Sequence, residues 1–472
     1  MLFRSVYVNG KIVTVHNGGF VSFEADITDF VTAGSNTVIV NAFDPLKTEA
    51  LPGGKQSKEF NSHGCFYTRT TGIWQTVWLE YTPKAYIKNV KYYTDIEEGT
   101  VTVSAEVCGK EKLFARITYE GEEMASSEIT AYGTVVQTLR LKEKHLWEAG
   151  HGRLYNIEFT FGEDKVSSYF GLRSTRMDGM KYLLNEKSFF QRTVLDQGYY
   201  PDGIMTAPSE QALIDDIEMS LAAGFNGARL HQKVFEPLFL YHCDRLGYVV
   251  WGEYPSWGLS YSTRDHYMKV LPEWLEVLER DFNHPSIIGW CPLNEVWGSP
   301  DREIIRQIYR ATKKLDPTRP CIDTSGGYHT EDTDIFCIHD YDQNPESFAS
   351  KVGKDAFKKG ERPENQITKN DPYMGQAIYV SEYGGIAWKE GNAEGWGYGK
   401  APKTKEEYLE RYEALTKAIL DNPDIMGFCY TQLYDLEQEI NGIYTYARKP
   451  KFSPEQMARI KAANTAPAAI EQ

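Results

Sequence analysis

Ile287-Ile288-Gly289-Trp290-Cys291 is a short apolar run that leads into Asn294-Glu295-Val296-Trp297-Gly298. Ala377-Ile378-Tyr379-Val380 does the same and leads into Ser381-Glu382-Tyr383-Gly384-Gly385. Each run has the length and the β-branched and aromatic content of a buried strand, and each ends on a carboxylate. Runs of this kind recur through the second half of the chain, at 191–196, 226–231, 247–252, 287–293, 321–324, 335–340, 377–382 and 425–430. Helical patterns fill most of the gaps. In 209–223, Ser209 is placed to cap, Leu213, Ile214, Ile217 and Leu221 share one face, and Gly224 stops the helix. Further helices are expected at 236–246, 272–282, 301–315 and 404–421. Eight alternating units over residues 173–472 predict a (β/α)8 TIM barrel. A doubly wound open sheet is the competing architecture, but no glycine-rich phosphate loop follows the first strand. The Ala-rich end, 462–472, is expected to fray.

Upstream of residue 173 the pattern is β throughout. Val6-Tyr7-Val8 and Lys11-Ile12-Val13 flank Asn9-Gly10, a hairpin signal. Thr37-Val38-Ile39-Val40 and Thr76-Val77-Trp78-Leu79 read as further strands of a first β region, 1–84. In 85–172, Val101, Val103, Ala105 and Val107 alternate with polar residues, as do Leu113, Ala115, Ile117 and Tyr119, which predicts a small β-sandwich.

Composition narrows the function. The chain has 472 residues, 41% hydrophobic and 25% charged, an ordinary globular balance. A net charge of −15 argues against nucleic-acid and anionic-membrane partners, which require basic surfaces. No apolar stretch is long enough to span a bilayer. The start, Met1-Leu2-Phe3-Arg4-Ser5-Val6, is not a signal peptide. The seven Cys (65, 108, 243, 291, 321, 337 and 429) form no CxxC pair and read as free thiols of a reducing, cytoplasmic compartment. The 31 Tyr and 10 Trp suit the apolar faces of sugars, and equally suit aromatic-rich β-structure.

In a TIM barrel the reactive groups sit at the C-terminal ends of the strands. Glu295 ends the fourth strand and Glu382 the seventh, so both reach the barrel mouth. Paired carboxylates are what glycoside cleavage needs. One protonates the leaving oxygen; in retaining enzymes the other attacks the anomeric carbon from about 5–5.5 Å away. The first must hold its proton and the second must be ionised.

These motifs resemble glycoside hydrolase family 2, the family of β-galactosidases, β-glucuronidases and β-mannosidases. The resemblance extends to Thr70-Thr71-Gly72-Ile73-Trp74-Gln75-Thr76-Val77-Trp78-Leu79-Glu80, to Asn226-Gly227-Ala228-Arg229-Leu230-His231 and to Asn283-His284-Pro285-Ser286. It implies a partial jelly-roll sugar-binding domain at 1–84, an immunoglobulin-like β-sandwich at 85–172 and a catalytic TIM barrel at 173–472. It also implies further residues in front of the first domain. The resemblance makes Glu295 the general acid/base and Glu382 the nucleophile. It places Asn294 on the sugar 2-hydroxyl, Tyr341 on the nucleophile, and Asp196, Gln197, His231, His339, Trp257, Tyr430 and Gln432 around the sugar. His242, within a helix, is expected to be structural. Glucuronidases of the family grip the sugar carboxylate with an Asn-x-Lys; here the matching place reads Glu439-Ile440-Asn441, with a Glu and no Lys, which disfavours a uronate. Galactosidases of one bacterial type bind magnesium through a Glu-x-His after strand three; Glu253-Tyr254-Pro255-Ser256-Trp257-Gly258 has none, so no metal and no cofactor are expected. The expected activity is that of a retaining exo-β-glycosidase on an oligosaccharide or glycoside. A β-galactoside leads, with a β-galacturonide, β-glucoside or β-mannoside next. The alternative from another class is a catalytically inactive carbohydrate-binding fragment. Members of the family are often dimers or tetramers, which leaves a homo-oligomer open here.

Overall fold

The computed structural model describes residues 3–47, 49–296, 298–353, 356, 373–391 and 394–472. Met1 and Leu2 of the start and Trp297 of the Asn-Glu motif lie outside them. β1 (Phe3–Val8) and β2 (Lys11–Asn17) are antiparallel around Asn9 and Gly10, whose φ of 51° and 80° give the twist a two-residue hairpin loop requires. β3 (Val38–Phe43) pairs with the other edge of β1. The strand expected at 76–79 does not form. Val77, Trp78 and Leu79 are 72%, 62% and 60% exposed in irregular backbone. Strand propensity is largely cross-strand packing, and among the described residues no strand lies beside this stretch. Among the described residues the first region shows one three-stranded sheet, β2-β1-β3.

The next region is a bent antiparallel sandwich. β5 (Thr100–Tyr119) and β6 (Glu122–Arg140) form one long hairpin whose register shifts between Val107 and Lys110. The first half of β5 pairs with β4 (Tyr86–Asp95) and the second half with β7 (Tyr155–Phe161), which pairs in turn with β8 (Asp164–Phe170). The alternating residues Val101, Val103, Ala105, Leu113, Ala115 and Ile117 all face its core.

A meander absent from the sequence reading follows: β9 (Thr175–Asp178), β10 (Lys181–Leu184) and β11 (Lys187–Ser188). It sits against the start of a barrel strand, where the Tyr182 hydroxyl donates to the Ile288 carbonyl at 2.8 Å. Seven of the eight expected barrel strands are present: β12 (Gln191–Asp196), β13 (Gly227–Leu230), β14 (Val249–Glu253), β15 (Ile287–Cys291), β16 (Ile335–Asp340), β17 (Ala377–Gly384) and β18 (Ile425–Thr431). They are parallel, in the order β15-β14-β13-β12-β18-β17-β16. The stretch expected as the fifth strand, 321–324, lies next to β15 and makes only isolated bridges, Trp290 with Cys321 and Asn294 with Ser325. Asp323 is the reason: its carboxylate accepts from the amides of Thr324 and Thr330, each at 2.7 Å, so the backbone turns around its own side chain.

Of the helices, Glu210–Ala222 is capped by Ser209 as expected. The helix expected from 272 begins at Arg264 and carries Pro272 inside it. Pro345–Lys351 and Pro454–Thr465 are additional. The end of the chain is docked, not frayed: Ile470 is buried and Glu471 pairs with Arg192 at 2.7 Å. Inside the barrel, Gly289 makes room for a ring, since a Cβ there would lie 2.2 Å from the Trp251 indole. Among the described residues no helix is long and apolar enough to cross a membrane.

Several contacts fasten the first region to the barrel. Glu273 accepts from the Gly19 and Phe20 amides at 2.6 and 2.7 Å. The buried loop Leu51–Ser57 enters the barrel mouth, with the Gly53 amide on the Trp257 carbonyl at 2.8 Å. Gly54 sits at φ 57°, and a Cβ there would lie 2.3 Å from the Gln232 carbonyl oxygen.

Candidate active site

Glu382 lies within β17, buried at the barrel mouth. Arg229 Nη1 reaches one of its oxygens at 3.1 Å, and the Tyr341 hydroxyl donates to the other. Arg229 is fully buried and forks: Nη2 meets Glu253 Oε2 at 2.7 Å and Asn294 Oδ1 at 2.9 Å. His231, two residues on and therefore on the same face of the strand, brings Nδ1 to 3.1 Å from Glu253 Oε1. Burial by itself would push the Glu382 carboxyl up. His339, His231 and Arg229, with the Tyr341 hydroxyl, outweigh it and hold the group well below the usual carboxylate range. Glu253 is lowered in the same way: Arg229 and His231 overcome its burial. Burial lowers His231 despite the pull of Glu253.

Glu295 follows β15 with φ 42°, a left-handed conformation costing a non-glycine residue about 1–3 kcal/mol. Its amide is tied to the Ser325 carbonyl at 2.9 Å. His339, at the end of β16, spans the two carboxylates. Its Nδ1 is 2.8 Å from Glu295 Oε1 and its Nε2 3.5 Å from Glu382 Oε1. Atoms of Glu295, His339 and Glu382 all lie within 4.8 Å of one another. That spacing suits the carboxyl pair of a retaining mechanism and is too short for the about 6.5–9.5 Å of an inverting one.

The other sequence candidates divide. Asn294 Nδ2, Gln197 Oε1 and Gln432 Oε1 are buried without a hydrogen-bond partner, a condition a ligand's hydroxyls would relieve. The Trp257 indole donates to the Asn294 carbonyl at 3.1 Å, which fixes the ring beside Glu295. Asp196 and Tyr430 are turned elsewhere. Asp196 accepts from the Tyr434 hydroxyl at 2.6 Å and the Gly198 amide at 2.9 Å; burial and Asp216 raise its carboxyl to about 6. Tyr430 bonds Tyr408 at 2.8 Å, on the helix Lys405–Leu420, and packs among tyrosines behind the sheet. His242 pairs with Glu210 at 2.9 Å on the barrel's exterior helices.

Arg229, Glu253, Lys55, Tyr67 and the pairing of Glu439 are not legible as site residues in the sequence. A charge inside the apolar run Gly-Ala-Arg-Leu is the signal that could have found Arg229, because a buried cation needs a buried anion. Lys55 is buried on the Trp257 ring, 4.0 Å from its centroid. The Lys55 carbonyl accepts from the Tyr67 amide at 2.7 Å, and the Tyr67 hydroxyl donates to Glu439 Oε2. Gln197 Nε2 donates to the same hydroxyl at 3.3 Å, and Asn441 Nδ2 to Glu439 Oε1 at 3.1 Å. Glu295, His339 and Glu382 are also spaced to ligate a metal. In this structure they are engaged with each other and with Arg229, Tyr341 and Ser325.

The barrel and the sandwich each match a family profile. Residues 182–387 match the TIM barrel domain of glycosyl hydrolases family 2, and residues 85–173 match a second profile described as glycosyl hydrolases family 2. The chain is 28% identical over 379 residues to the β-glucuronidase of Rattus norvegicus, covering 71% of this chain and 57% of that protein. It is 26% identical over 368 residues to the β-galactosidase of Thermoanaerobacter pseudethanolicus, covering 72% and 47%. A putative β-glucuronidase of Formosa agariphila is 26% identical over 347 residues, covering 66% and 40%. The chain thus spans about half the length of the curated relatives it matches. In structure it is similar to the β-D-glucuronidase of Dictyoglomus thermophilum, with a TM-score of 0.77 at 22% identity over 99% of this chain and 86% of that one. Two profiles of one family, together covering more than half of the chain, agree with the barrel and its paired carboxylates: the chain belongs to glycoside hydrolase family 2.

Proposed function

We propose that the chain is a retaining exo-β-glycosidase with Glu382 as nucleophile and Glu295 as acid/base. Glu295 gives its proton to the glycosidic oxygen while a Glu382 oxygen attacks the anomeric carbon, and the aglycone leaves. Glu295, now a carboxylate, takes a proton from water, which attacks the same carbon, breaks the bond to Glu382 and releases the sugar with its β configuration. The observation that carries this reading is the approach of the two carboxylates within 4.8 Å, with His339 between them. A terminal β-galactoside is the expected substrate. The second reading is a β-glucuronide, favoured by the names of the relatives; against it stands Glu439, a carboxylate where a uronate clamp would need a cation. A purely carbohydrate-binding role needs neither carboxylate. Seven free thiols support a reducing compartment. The test is turnover of nitrophenyl β-glycosides (galactoside, glucoside, mannoside, glucuronide, galacturonide) with Glu382→Ala as control. Turnover of one sugar that vanishes in the control is the expected result. Equal activity in both proteins refutes the assignment.

A further inference from the structure

A buried charge normally has a partner, because removing an ion from water costs several kcal/mol that only pairing or hydrogen bonding offsets. Lys55 does not follow that rule. It is 7% exposed, and among the described residues its ammonium makes no hydrogen bond and no ion pair within 4.0 Å. Its ammonium lies over the face of Trp257, whose indole nitrogen is tied to the carbonyl next to Glu295. The residue has not strayed there. Its loop is pinned by the Gly53 and Gly54 amides on the Trp257 and Pro255 carbonyls, at 2.8 and 3.2 Å. At Gly54 the two backbones are too close for a Cβ. A rigid arm of the first region thus carries an unpartnered cation into a mouth built by the barrel.

Glu439 is its counterpart. It is buried, and Tyr67 links it to the same arm. Burial would lower the Lys55 ammonium; Cys65, Glu439, Glu295 and Glu382 outweigh that and keep it charged. Burial raises the Cys65 thiol, so the charges Lys55 faces are those of carboxyl groups. The mouth already holds the carboxylates of Glu253, Glu382 and Glu439, beside the acid Glu295, against the fixed cations Arg229 and Lys55. A sugar carboxylate would add to this excess of negative charge. A neutral hydroxyl does not: it accepts from an ammonium and donates to a carboxylate at once.

We propose that Lys55 and Glu439 form a donor–acceptor pair that reads hydroxyls of a neutral terminal sugar, so that specificity is set at the seam between the first region and the barrel. This rests on the glycosidase reading for its substrate class, but it is testable by binding alone.

The experiment compares the full chain with its Lys55→Met and Glu439→Gln variants on neutral nitrophenyl β-glycosides, their monodeoxy derivatives and the matching uronides. The free sugars are titrated by calorimetry into each protein in a Glu382→Ala background. A hydrogen bond to a charged group corresponds to about 10- to 100-fold in affinity or kcat/KM. The expected result is a loss of about that size for Lys55→Met on the parent neutral sugar, shrinking to a few-fold on the one deoxy sugar that lacks the hydroxyl it reads. Glu439→Gln should show the same pattern. Equal losses on every deoxy sugar would mark Lys55 as merely structural and overturn the proposal. So would a uronide preference that Lys55→Met abolishes, or an absence of neutral-sugar binding to any of the proteins. Binding that depends on Lys55 in a protein without Glu382-dependent turnover would keep the pair and remove the glycosidase reading instead.

Discussion

Replacing Arg229 by Met should reverse the pH dependence of stability. The Arg229 side chain has no exposed surface, and it pairs with Glu253, also wholly buried, and with Glu382, 6% exposed. Removing one partner of a buried pair costs about 3–5 kcal/mol, because the charge left behind is uncompensated. Here two carboxylates are left. In the native protein Glu253 and Glu382 are held below their ordinary values, so their contribution is present above the unfolded carboxylate pKa and is lost as pH falls through the folded values. Without the guanidinium, burial dominates at Glu253, whose lowering rests first on Arg229, and that carboxyl rises, while Glu382 keeps His339 and His231 and rises less. The folded variant then binds more protons than its unfolded chain, and its stability falls as pH rises from about 5 to 8. The deficit against wild type should approach 3–5 kcal/mol at pH 8 and narrow toward pH 5. Urea midpoints read from tryptophan fluorescence at several pH values measure it, since Trp251, Trp274 and Trp290 lie in the barrel core. Glu253→Gln in the same background removes one orphaned charge and should restore part of the loss. A deficit that does not change with pH, or no rescue by Glu253→Gln, would show that Arg229 is not the neutralising charge.

Four further outcomes are expected. Tyr341→Phe removes the hydroxyl that donates to Glu382; a hydrogen bond to a charged group is worth about 1.5–3 kcal/mol, so kcat should drop about 10- to 100-fold with the fold intact by circular dichroism. Glu295→Ala should lose about 10²–10⁴-fold on glycosides with poor leaving groups and much less on dinitrophenyl substrates; equal losses on both would count against its role as the acid. Burial favours protonation of Asp316, but Arg319, Thr318 and Trp290 prevail and hold it at about 2. Its contribution of about 2 kcal/mol is therefore present above the unfolded pKa and lost as pH falls through about 2, and Asp316→Asn should narrow its stability gap from wild type over that window. Gly289→Ala places a methyl against the Trp251 ring and should cost about 1–3 kcal/mol by overpacking, measured as a lower Tm.

The barrel was legible because its strands are apolar runs closed by chemistry: β12, β15, β16, β17 and β18 coincide with their sequence signals to within a few residues. Residues 321–324 misled because periodicity does not report that an Asp will bind its own backbone. Thr76–Leu79 misled because propensity does not report a missing neighbour. Pro272 was read as a helix start, whereas the chain enters the helix at Arg264 and passes through it. At the site, Glu295, Glu382, Asn294, His339 and Tyr341 could be named because each sits at a strand end or directly after one. Asp196 sits at a strand end too, yet it turns toward Tyr434; the end of a strand gives position and not direction. Lys55 had no signal, since its place follows from the packing of one region on another.

That packing separates two tasks. Barrel residues bring Glu295 and Glu382 together and hold Glu382 ionised: Arg229 and His231 come from the second strand, Glu253 from the third, His339 and Tyr341 from the sixth. Beside it stand Asn294 Nδ2, a donor, and Gln197 Oε1 and Gln432 Oε1, two acceptors, unpaired among the described residues and able, on the proposed reading, to meet a sugar's hydroxyls. The groups that differ from a uronate clamp are Glu439, on the loop after the last strand, and Lys55, on the arm that the first region inserts. Chemistry can therefore stay constant while the arm and that loop change, because altering Lys55 or Glu439 leaves the Arg229–Glu253–Glu382 charge network in place. The glycines that let the arm enter make the dependence mutual. Gly54 admits the Gln232 carbonyl and Gly258 the Leu51 carbonyl, and a side chain at either would lift Lys55 away from Trp257. If the proposed pair reads the sugar, selectivity can be lost through a change at the seam that never touches Glu295 or Glu382.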